Sequence, residues 1–507
     1  MEKTQKTLPV KVVVVGAGAA GIAAASKLYQ HGFDVVVLEA EDRIGGRIHS
    51  HRTDQGWIEL GAQWIHGEEH WLYDFAEQQQ LLGRSAVLSK ETGILAQNGN
   101  QITGEKRAGL QSAINEICDK LSAEGLQDVS YGTSIGEILS KLRAETRAED
   151  KDQNKEVGII YDWINRYLKI DCGADSLHDV SIQMYVDESC IGNYNHRLNF
   201  PYVLILDHLR SLSLVDDRFM PLDLVKLETP VCAIRMKKMN SGGSPVEVQT
   251  EDGETFQADH VIVTVSLGVL KKQVNKWFSP PLSQRKQDII ESMGFGLIGK
   301  VVLHYEEPFW RDWKFDYVEG DLRAIALYWD EEADALQTDP EGRYISRPWY
   351  RAIRSFLVCF SQPNTLIAFL AGSQVREMEQ LPEEQVAQDL TEVLRTFRGD
   401  PAIPLPKSVL RSNWATNKNF CGTYSYPSTD SGAKGFSPVD LAEPDWSYIS
   451  TKTSAHHGLV PGLLFAGEAT HPKYFSMVHG AILSGWREAD RLSELYEHTK
   501  NRTASLT

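Results

Sequence analysis

Apolar runs that fit strands alternate with helical patterns from the start of the chain. The β-branched run 12–15 predicts a strand, the alanine-rich stretch that continues to His31 predicts a helix, and the apolar run 35–38 predicts a second strand. This order, with a glycine-rich turn after the first strand, is typical of a Rossmann-like unit. The N-terminal part of the chain is therefore predicted to have an α/β fold.

Similar patterns continue along the rest of the chain. Ser134 and Glu137 have the spacing of a capping box, and apolar residues three and four apart begin at Leu110, so the region after Gly104 is predicted to be helical. The lysine- and acid-rich segment 146–156 is predicted to be a solvated turn. Further strands are predicted at 246–250, 261–265, 301–305, 323–328, 365–371 and 463–466, and further helices from Pro382 and over 479–492.

Composition and charge restrict the class of protein. With 507 residues, 42% of them hydrophobic and 24% charged, the chain has the make-up of a folded globular protein, which excludes disordered and fibrous classes. The net charge of −17 opposes binding to nucleic acid or to an anionic membrane, so neither is an expected partner. The same field steers cationic ligands toward the protein, although simple solubility explains it equally well.

Cysteine usage and the ends of the chain favour a cytoplasmic location. The six cysteines are scattered without a paired spacing, which is typical of reduced thiols. Residues 1–9 are polar and lack the apolar core of a signal peptide, and residues 505–507 do not form the Ser-Lys-Leu peroxisomal signal. No apolar run reaches the ~18 residues that a membrane span needs.

A glycine fingerprint lies in the turn after the first predicted strand. Gly16, Gly18 and Gly21 are spaced as GxGxxG, with Ala20 before the third glycine and Glu39 at the end of the second predicted strand. The first two glycines bring backbone N–H groups close to a pyrophosphate, and the third lets the helix pack on the strand. Glu39 is then expected to accept hydrogen bonds from a ribose. A glycine-rich turn without a ligand is the alternative.

A second glycine pair follows at once, in R-I-G-G-R at 43–47, and a nicotinamide dehydrogenase does not need it. With ELGAQWIHG at 59–67, ADHVIVTVSLGVLK at 258–271 and residues 464–492, this motif makes the chain similar to the flavin-containing amine oxidases, and among them to the polyamine oxidases. The resemblance implies an α/β fold, with a Rossmann-like FAD-binding domain assembled from separate segments and an α+β substrate-binding domain. It places the FAD-binding domain at 9–88, 228–297 and 408–500, the substrate-binding domain at 89–227 and 298–407, and a tail at 501–507.

The resemblance also implies FAD that is bound without a covalent link. A helix that starts near His479 is expected to direct its positive end toward the flavin. Cys421 lies two positions before the place where monoamine oxidases attach FAD, and Thr423 occupies that place. The residues expected to contact FAD are Gly16, Gly18, Ala20, Gly21, Glu39, Arg47, Gly61, Ala62, Trp64, Ile65, Val231, Gly467, Glu468 and Val478.

Four residues are expected to take part in catalysis. The resemblance places Lys300 near flavin N5, bonded through a water. It places Tyr424 and Tyr426 beside the substrate amine, where aromatic faces attract cations. His66 is expected to line the substrate tunnel. The alternatives are a surface lysine, two core tyrosines and a plain loop histidine.

Substrate contacts are expected from His66, from Met477 and from a tunnel carboxylate, Asp187 or Glu188, for which a surface carboxylate is the alternative. Met477 stands where many relatives have threonine or an aromatic residue, and segment 198–202 lacks glycines that are usual in the family. The tunnel is therefore expected to differ in shape. His66 and a second histidine four residues later have a spacing that is found in zinc-binding histidine pairs. The sequence offers no further ligand nearby, so no metal is predicted.

The function that the resemblance implies is oxidation of spermine, spermidine or their acetyl derivatives at a carbon beside a secondary amine. A hydride passes to the flavin, the imine hydrolyses to an aldehyde and a shorter amine, and molecular oxygen reoxidises the flavin to give hydrogen peroxide. A lysine demethylase, an amino-acid oxidase and a catalytically silent flavin-binding scaffold are the alternatives. The preferred polyamine, the side of cleavage and the oligomeric state stay open.

Overall fold

Two six-stranded sheets and the helices that pack on them form the structure, which is a computed structural model. It describes residues 9–83, 92–121, 130, 132–145, 151–186, 195–212, 217–237, 244–315, 317–318, 321–329, 348–449 and 459–504. The strands of these residues are β1 (Lys11–Val15), β2 (Asp34–Leu38), β3 (Ser50–Thr53), β4 (Gly56–Glu59), β5 (Ile65–His66), β6 (Thr92–Ala96), β7 (Asn195–His196), β8 (Val225–Lys226), β9 (Val231–Met236), β10 (Val246–Thr250), β11 (Thr255–Ala258), β12 (His260–Val263), β13 (Phe278–Ser279), β14 (Gly294–Phe295), β15 (Ile298–His304), β16 (Ala324–Tyr328), β17 (Ser355–Val358), β18 (Thr365–Ala371), β19 (Ser408–Arg411), β20 (Ser425–Tyr426), β21 (Trp446–Ile449) and β22 (Leu459–Phe465). The helices, besides short 3₁₀ turns, are α1 (Ala19–Gln30), α2 (Trp71–Gln78), α3 (Gly104–Lys120), α4 (Ile135–Glu145), α5 (Lys151–Cys172), α6 (Gln183–Val186), α7 (Leu204–Ser211), α8 (Leu267–Trp277), α9 (Gln284–Ser292), α10 (Gln374–Gln380), α11 (Glu383–Arg398), α12 (Thr429–Ala433), α13 (Pro438–Ala442) and α14 (Val478–Ala504).

The first sheet has the strand order β21-β22-β12-β1-β2-β8. All neighbouring strands in it are parallel except β21, which pairs antiparallel with β22 at the edge. Parallel strands are covered on both faces and therefore consist of apolar runs, and residues 12–15 are buried throughout. The strands come from the N-terminal, central and C-terminal parts of the chain, so the Rossmann-like unit is assembled from separate segments, as predicted.

Helix α1 packs between the sheet and helix α14. Its alanines are buried, and their small size lets α14 approach closely. Gly21 lies where α1 passes the turn that precedes it, and a Cβ atom at this position would lie 1.9 Å from the carbonyl oxygen of Gly16. Packing of the helix on the strand therefore requires the third glycine of the fingerprint, as predicted.

The second sheet has the strand order β19-β15-β18-β17-β16-β6, and its pairs are antiparallel except β16 with β6. Side chains of β15 alternate in direction, as strand geometry requires. Val301 and Leu303 pack in a core with α10 and α11, whereas Lys300 lines a central cavity. One face of this sheet is therefore closed by helices, and the other face forms a wall of the cavity.

Most of the predicted elements are present, and α4 begins with the predicted capping box. The Glu137 N–H donates to Ser134 Oγ at 3.0 Å, and the Ser134 N–H donates to the Glu137 carboxylate at 3.2 Å. The turn predicted at 146–156 is wrong from Lys151 onward, because α5 begins there, while residues 146–150 lie outside the described part. Here the charged residues form the first turns of a helix whose later residues are buried. Charge alone therefore did not indicate a turn.

The predicted domain boundaries stay a prediction, although two of them separate strands from their sheets. Strand β8 ends before 228 but belongs to the first sheet, and β19 begins at 408 but belongs to the second sheet. Among the described residues no helix has both the length and the hydropathy needed to cross a membrane. Four cysteines are free thiols, namely Cys172, Cys232, Cys359 and Cys421.

Candidate active site

A cavity of about 1030 Å³ is lined by residues of both sheets. On one side, which we call the glycine side, its wall contains Gly16, Gly18 and Glu39. On the other, which we call the aromatic side, its wall contains Trp163 and Tyr167 of α5. The cavity therefore connects the glycine fingerprint with a pocket built from aromatic side chains.

The glycine side exposes the start of helix α1. Gly16 directly follows strand β1 and has a φ of +104°, which favours glycine. Gly18 is the residue before helix α1, and no described side chain caps the helix there. Gly18, Ala19 and Ala20 line the cavity. The first N–H groups of a helix lack partners within it and carry its positive dipole end, so this wall has the chemistry of a phosphate site.

Glu39 closes the turn on the same side. One carboxylate oxygen accepts from the Ala17 N–H at 2.6 Å and the other from the Glu41 N–H at 2.9 Å. Burial raises the pKa of Glu39, while these two hydrogen bonds lower it. Each carboxylate oxygen has a second lone pair, so Glu39 retains acceptors for hydroxyl groups of a ligand in the cavity.

Arg47 and Glu468 form an ion pair on the cavity wall, with Nη1 and Oε1 2.7 Å apart. Arg47 also donates to the carbonyl oxygen of Thr423 at 2.5 Å, and the second oxygen of Glu468 accepts from the Ser476 N–H at 2.9 Å. Gly467, with φ of +125°, brings its backbone to the same wall in a conformation that other residues rarely adopt. The ion pair holds the Arg47 side chain in place between the two sides of the cavity.

Lys300 joins the second sheet to loop 59–66. Its Nζ donates to the carbonyl oxygens of Glu59 at 2.9 Å and Gly61 at 2.6 Å, and to Oε1 of Gln63 at 2.9 Å. Burial lowers the pKa of Lys300 to about 7, and the Glu59 carboxylate acts in the opposite direction. An ammonium group has three N–H donors, and these acceptors engage all three. A water bridge from Lys300 to a cofactor therefore requires a water to replace one of these three acceptors.

Loop 59–66 is held from behind by Tyr202, which is fully buried. Its hydroxyl donates to the carbonyl oxygen of Trp64 at 3.1 Å, and its N–H donates to the Glu59 carboxylate at 2.8 Å. Segment 198–202 therefore fixes the loop despite lacking the expected glycines. Ile65, by contrast, is fully buried in β5 and lies off the cavity wall. The predicted loop residues on the wall are Gly61, Ala62 and Trp64.

On the aromatic side, the Tyr424 hydroxyl donates to the carbonyl oxygen of Ile170 at 2.7 Å. Tyr424 and Met477 both line the cavity. Tyr426 does not; its ring is buried in a core cluster, and its strand β20 pairs with Gly294. The structure thus corrects the predicted placement of Tyr426. Residues two apart share a face only within a strand, and Tyr424 precedes β20.

His66 lines the cavity. Its Nδ1 donates to Oδ1 of Asn195 at 2.8 Å, and burial lowers its pKa. The ring is therefore neutral near pH 7, with Nε2 as a proton acceptor. His70 instead donates from Nε2 to the His66 carbonyl oxygen at 2.9 Å. Among the described residues no group of three or more His, Cys, Asp or Glu is placed to hold a metal ion.

The chain matches one known protein family over most of its length. Residues 19–493 match the model of the flavin containing amine oxidoreductases. The chain belongs to this family. It is 33% identical to the peroxisomal N1-acetyl-spermine/spermidine oxidase of Homo sapiens and 31% identical to that of Bos taurus. Each alignment covers 96% of this chain and 95% of the relative.

A solved structure of an engineered putrescine oxidase double mutant shares the fold of this amine oxidoreductase. The TM-score is 0.64 at 20% identity, over 96% of this chain and 100% of the other. The predicted α/β fold of the amine oxidase type is confirmed. The cofactor of the family is a flavin, and an exposed helix start together with a ribose acceptor fits the dinucleotide part of one.

Most of the residues that we predicted to bind the cofactor of this amine oxidoreductase lie on the cavity wall. Gly21 and Ile65 do not, because both are packed behind it. The roles of the others stay predictions. Those on the wall are Gly16, Gly18, Ala20, Glu39, Arg47, Gly61, Ala62, Trp64, Val231, Gly467, Glu468 and Val478.

Several polar residues of the wall were not singled out by sequence reasoning, and three of them matter for the site. The predicted carboxylates Asp187 and Glu188 lie outside the described residues. The structure instead places Asp171 and Arg354 on the aromatic side and Gln63 beside Lys300. The spacing of Trp163, Tyr167 and Asp171, four residues apart on α5, puts them on one helical face and is the signal that indicates Asp171.

Proposed function

We propose that the protein is a FAD-dependent polyamine oxidase. A secondary amine, water and molecular oxygen give an aldehyde, a shorter amine and hydrogen peroxide in this reaction. The observation that carries the proposal is the single cavity that joins the glycine side, through Lys300, to the aromatic side. The names of the relatives, which are oxidases of acetylated polyamines, support the same substrate class.

The glycine side suits the adenosine and pyrophosphate of FAD. Glu39 would accept from ribose hydroxyls, and the N–H groups at the start of α1 would bind phosphate oxygens. FAD, when bound, supplies the acceptor for the two electrons that leave the substrate. Cys421 does not line the cavity, whereas Thr423 does, and this supports non-covalent binding.

The aromatic side suits an alkyl amine. The face of Tyr424 attracts a cationic nitrogen, and the apolar surroundings disfavour the charged form of the nitrogen that reacts, which must have a free lone pair. Neutral His66 lines the same cavity and offers Nε2 as an acceptor. These residues would bind the amine, exclude water and receive a proton.

A product experiment tests the function. Purified yellow protein is incubated with spermine, spermidine and their acetyl derivatives, and peroxide and amine products are measured. We expect amine-dependent peroxide, with an aldehyde and a shorter amine identified by mass. Protein that binds flavin but forms no peroxide with any of these amines would be a silent flavin-binding scaffold.

The flavin linkage and the location have separate tests. Acid precipitation is expected to release intact FAD into the supernatant, and flavin that stays in the pellet would contradict non-covalent binding. We also propose a cytoplasmic location, supported by the unpaired cysteines of the described residues. Because the relatives are named peroxisomal, cell fractionation against a peroxisomal marker is the deciding measurement.

A further inference from the structure

Five residues in direct register cross the second sheet and line the cavity. Lys300 pairs with Phe369, Phe369 with Ser355, Ser355 with Ala326, and Ala326 with Ile94. At about 4.8 Å between neighbouring strands, this row extends roughly 19 Å from Lys300 to Ile94. We call this part of the cavity the substrate arm. It has the length of an extended, linear alkyl amine.

Helix α5 forms the wall opposite the arm. Trp163, Tyr167 and Asp171 are spaced by four residues and therefore share one face, and all three line the cavity. Asp171 directly follows Ile170, whose carbonyl oxygen holds the Tyr424 hydroxyl. Asp171 therefore lies one residue along the helix from the contact that positions the aromatic ring expected to bind the reacting amine.

Arg354 approaches the same face of α5 from the second sheet. It precedes Ser355, about two strand spacings, or ~10 Å, from Lys300 along the row. Its guanidinium lies 4.3 Å from the ring centroid of Tyr167 and 5.7 Å from that of Trp163. Its Nε is buried without a hydrogen-bond partner in the part of the chain that the structure describes. The guanidinium therefore packs on aromatic rings, and its Nε–H donor is left available for a ligand.

Asp171 and Arg354 influence each other electrostatically but form no ion pair within 4 Å. Tyr167, against which Arg354 packs, and Asp171 lie one helical turn apart, with about 6 Å between their Cβ atoms. Asp171 is exposed to the cavity. Desolvation by the surrounding protein raises the pKa of its carboxyl to about 6 and Arg354 lowers it, so the carboxylate is an acceptor near neutral pH. The gap between the two groups therefore offers donors on one side and an acceptor on the other.

The chemistry of this gap distinguishes three kinds of ligand. An ammonium group satisfies Asp171 but is repelled by Arg354, and a carboxylate satisfies Arg354 but is repelled by Asp171. A secondary amide has a carbonyl acceptor and an N–H donor and carries no charge, so it satisfies both residues. A site built to hydrogen-bond such a group discriminates strongly against analogues that leave its polar atoms unpaired.

The other described carboxylates on the cavity wall already have partners away from the substrate arm. Glu39 and Glu251 belong to the glycine side, where the Glu251 carboxylate accepts from Lys418 Nζ at 3.0 Å and Glu39 holds the turn. Glu468 is paired with Arg47. Asp171 is therefore the carboxylate of the described wall that faces the substrate arm, and an arginine lies beside it.

We propose that Asp171 and Arg354 form a subsite for a secondary amide, so that this enzyme prefers amines that are N-acylated at one end over the corresponding free polycations. The proposal rests on the proposed function and names the substrate class of the same cavity. Arg354 donates to the amide carbonyl oxygen, and Asp171 accepts from the amide N–H. Neither residue acts on the carbon that is oxidised, so both determine specificity and neither is catalytic.

The test compares N1-acetylspermine with spermine, using FAD-loaded enzyme. The wild type is expected to show kcat/KM at least ~10-fold higher for the acetylated amine, as for one hydrogen bond to a charged group. In Arg354→Met this value falls by a similar factor for N1-acetylspermine and changes less than about threefold for spermine. Most of the loss is expected in KM, while flavin reduction at saturating amine is retained.

Controls separate the subsite from folding and from the function itself. Arg323→Met removes an arginine that does not line the cavity and is expected to leave both substrates unaffected. Arg354→Lys keeps the charge and N–H donors but loses the planar guanidinium, and it is expected to retain part of the preference. Thermal unfolding and FAD content identify misfolded variants. Equal losses for both amines in a folded Arg354→Met, or a wild type that prefers spermine, would overturn the subsite. Flavin that neither amine reduces would instead contradict the proposed function.

Discussion

The Nζ atom of Lys300 and the carbonyl oxygen of Gly61 lie 2.6 Å apart, and this hydrogen bond ties the second sheet to a loop on the cavity wall. Two more acceptors, from Glu59 and Gln63, complete the shell of the ammonium. The lysine therefore has a structural role in joining the two halves of the cavity as well as its predicted role beside the flavin. Experiments on Lys300 must separate these roles.

Lys286 provides a matched comparison for Lys300. It is also buried, and its Nζ donates to the carbonyl oxygens of Asp440 at 2.9 Å, Leu441 at 2.8 Å and Glu443 at 2.7 Å, but it does not line the cavity. We expect Lys300→Met and Lys286→Met both to lower stability, by about 1–3 kcal/mol for each carbonyl group left unsatisfied. Only Lys300→Met is expected to slow flavin reduction or reoxidation in stopped-flow measurements. Identical flavin kinetics in the two variants would reduce Lys300 to a structural residue.

Glu39→Gln tests the ribose acceptor. The variant keeps the shape of the side chain but removes its charge, and hydrogen bonds to a charged group contribute about 1.5–3 kcal/mol. FAD affinity, measured by titration of apoprotein, is expected to fall by roughly ten- to a hundredfold. Asp34→Asn, which changes an exposed carboxylate 3.9 Å from the Lys11 ammonium, is the control and is expected to leave FAD binding unchanged. An unaltered titration for Glu39→Gln would show that the glycine fingerprint has been misinterpreted.

The two tyrosines of the predicted amine pocket are expected to behave differently. Tyr424→Leu removes an aromatic face from the cavity, and cation–π contacts contribute about 0.5–2 kcal/mol, so kcat/KM for an amine should fall roughly 2- to 30-fold. Tyr426→Phe preserves packing in the core and is expected to change kcat/KM less than about twofold. A larger effect of Tyr426→Phe than of Tyr424→Leu would contradict the placement of Tyr426 behind the wall.

The parts of the fold and site that sequence predicted are those determined by local patterns. The glycine-rich turn after β1, the capping box of α4 and the strand around Lys300 depend on neighbours in the chain or on long motifs, and the structure has these local elements; the roles of the glycines and of Lys300 stay predictions. No local sequence pattern predicts the register in which β15, β18 and β17 pair. Arg354 and Asp171 are brought near each other by that register and by the side of α5 that faces the cavity. Sequence reasoning therefore did not associate the two residues. Tyr426 was placed beside the amine by resemblance alone, whereas β20 begins only after Tyr424 and the Tyr426 ring lies in a core cluster.

The last prediction concerns a pair of stacked histidines behind the cavity. The rings of His70 and His479 are parallel, with centroids 3.8 Å apart and an interplanar angle of 6°. Nε2 of His479 is buried and has no hydrogen-bond partner among the described residues. Burial, together with the neighbouring histidines, lowers the pKa of His479 to about 2, whereas an unfolded histidine titrates near 6.5.

This difference makes the stability of the protein depend on pH. Below pH ~6.5 the unfolded chain binds a proton at His479 that the folded protein does not bind, so folding is progressively disfavoured as pH falls toward the folded pKa. One such group contributes at most about 1.4 kcal/mol per pH unit. The loss is expected to begin near pH 6.5 and to continue through the acidic range, and it is absent above pH 7.

His479→Phe isolates this contribution, because the phenyl ring keeps the stack with His70 and cannot be protonated. We expect the variant to lose less stability than the wild type between pH 7 and pH 5, by about 1–2 kcal/mol in the free energy of unfolding. Denaturant unfolding of both proteins at pH 7, 6 and 5 measures the difference. Parallel losses in the two proteins would mean that His479 accepts its proton in the folded state, through an opening of the stack that gives water access to Nε2.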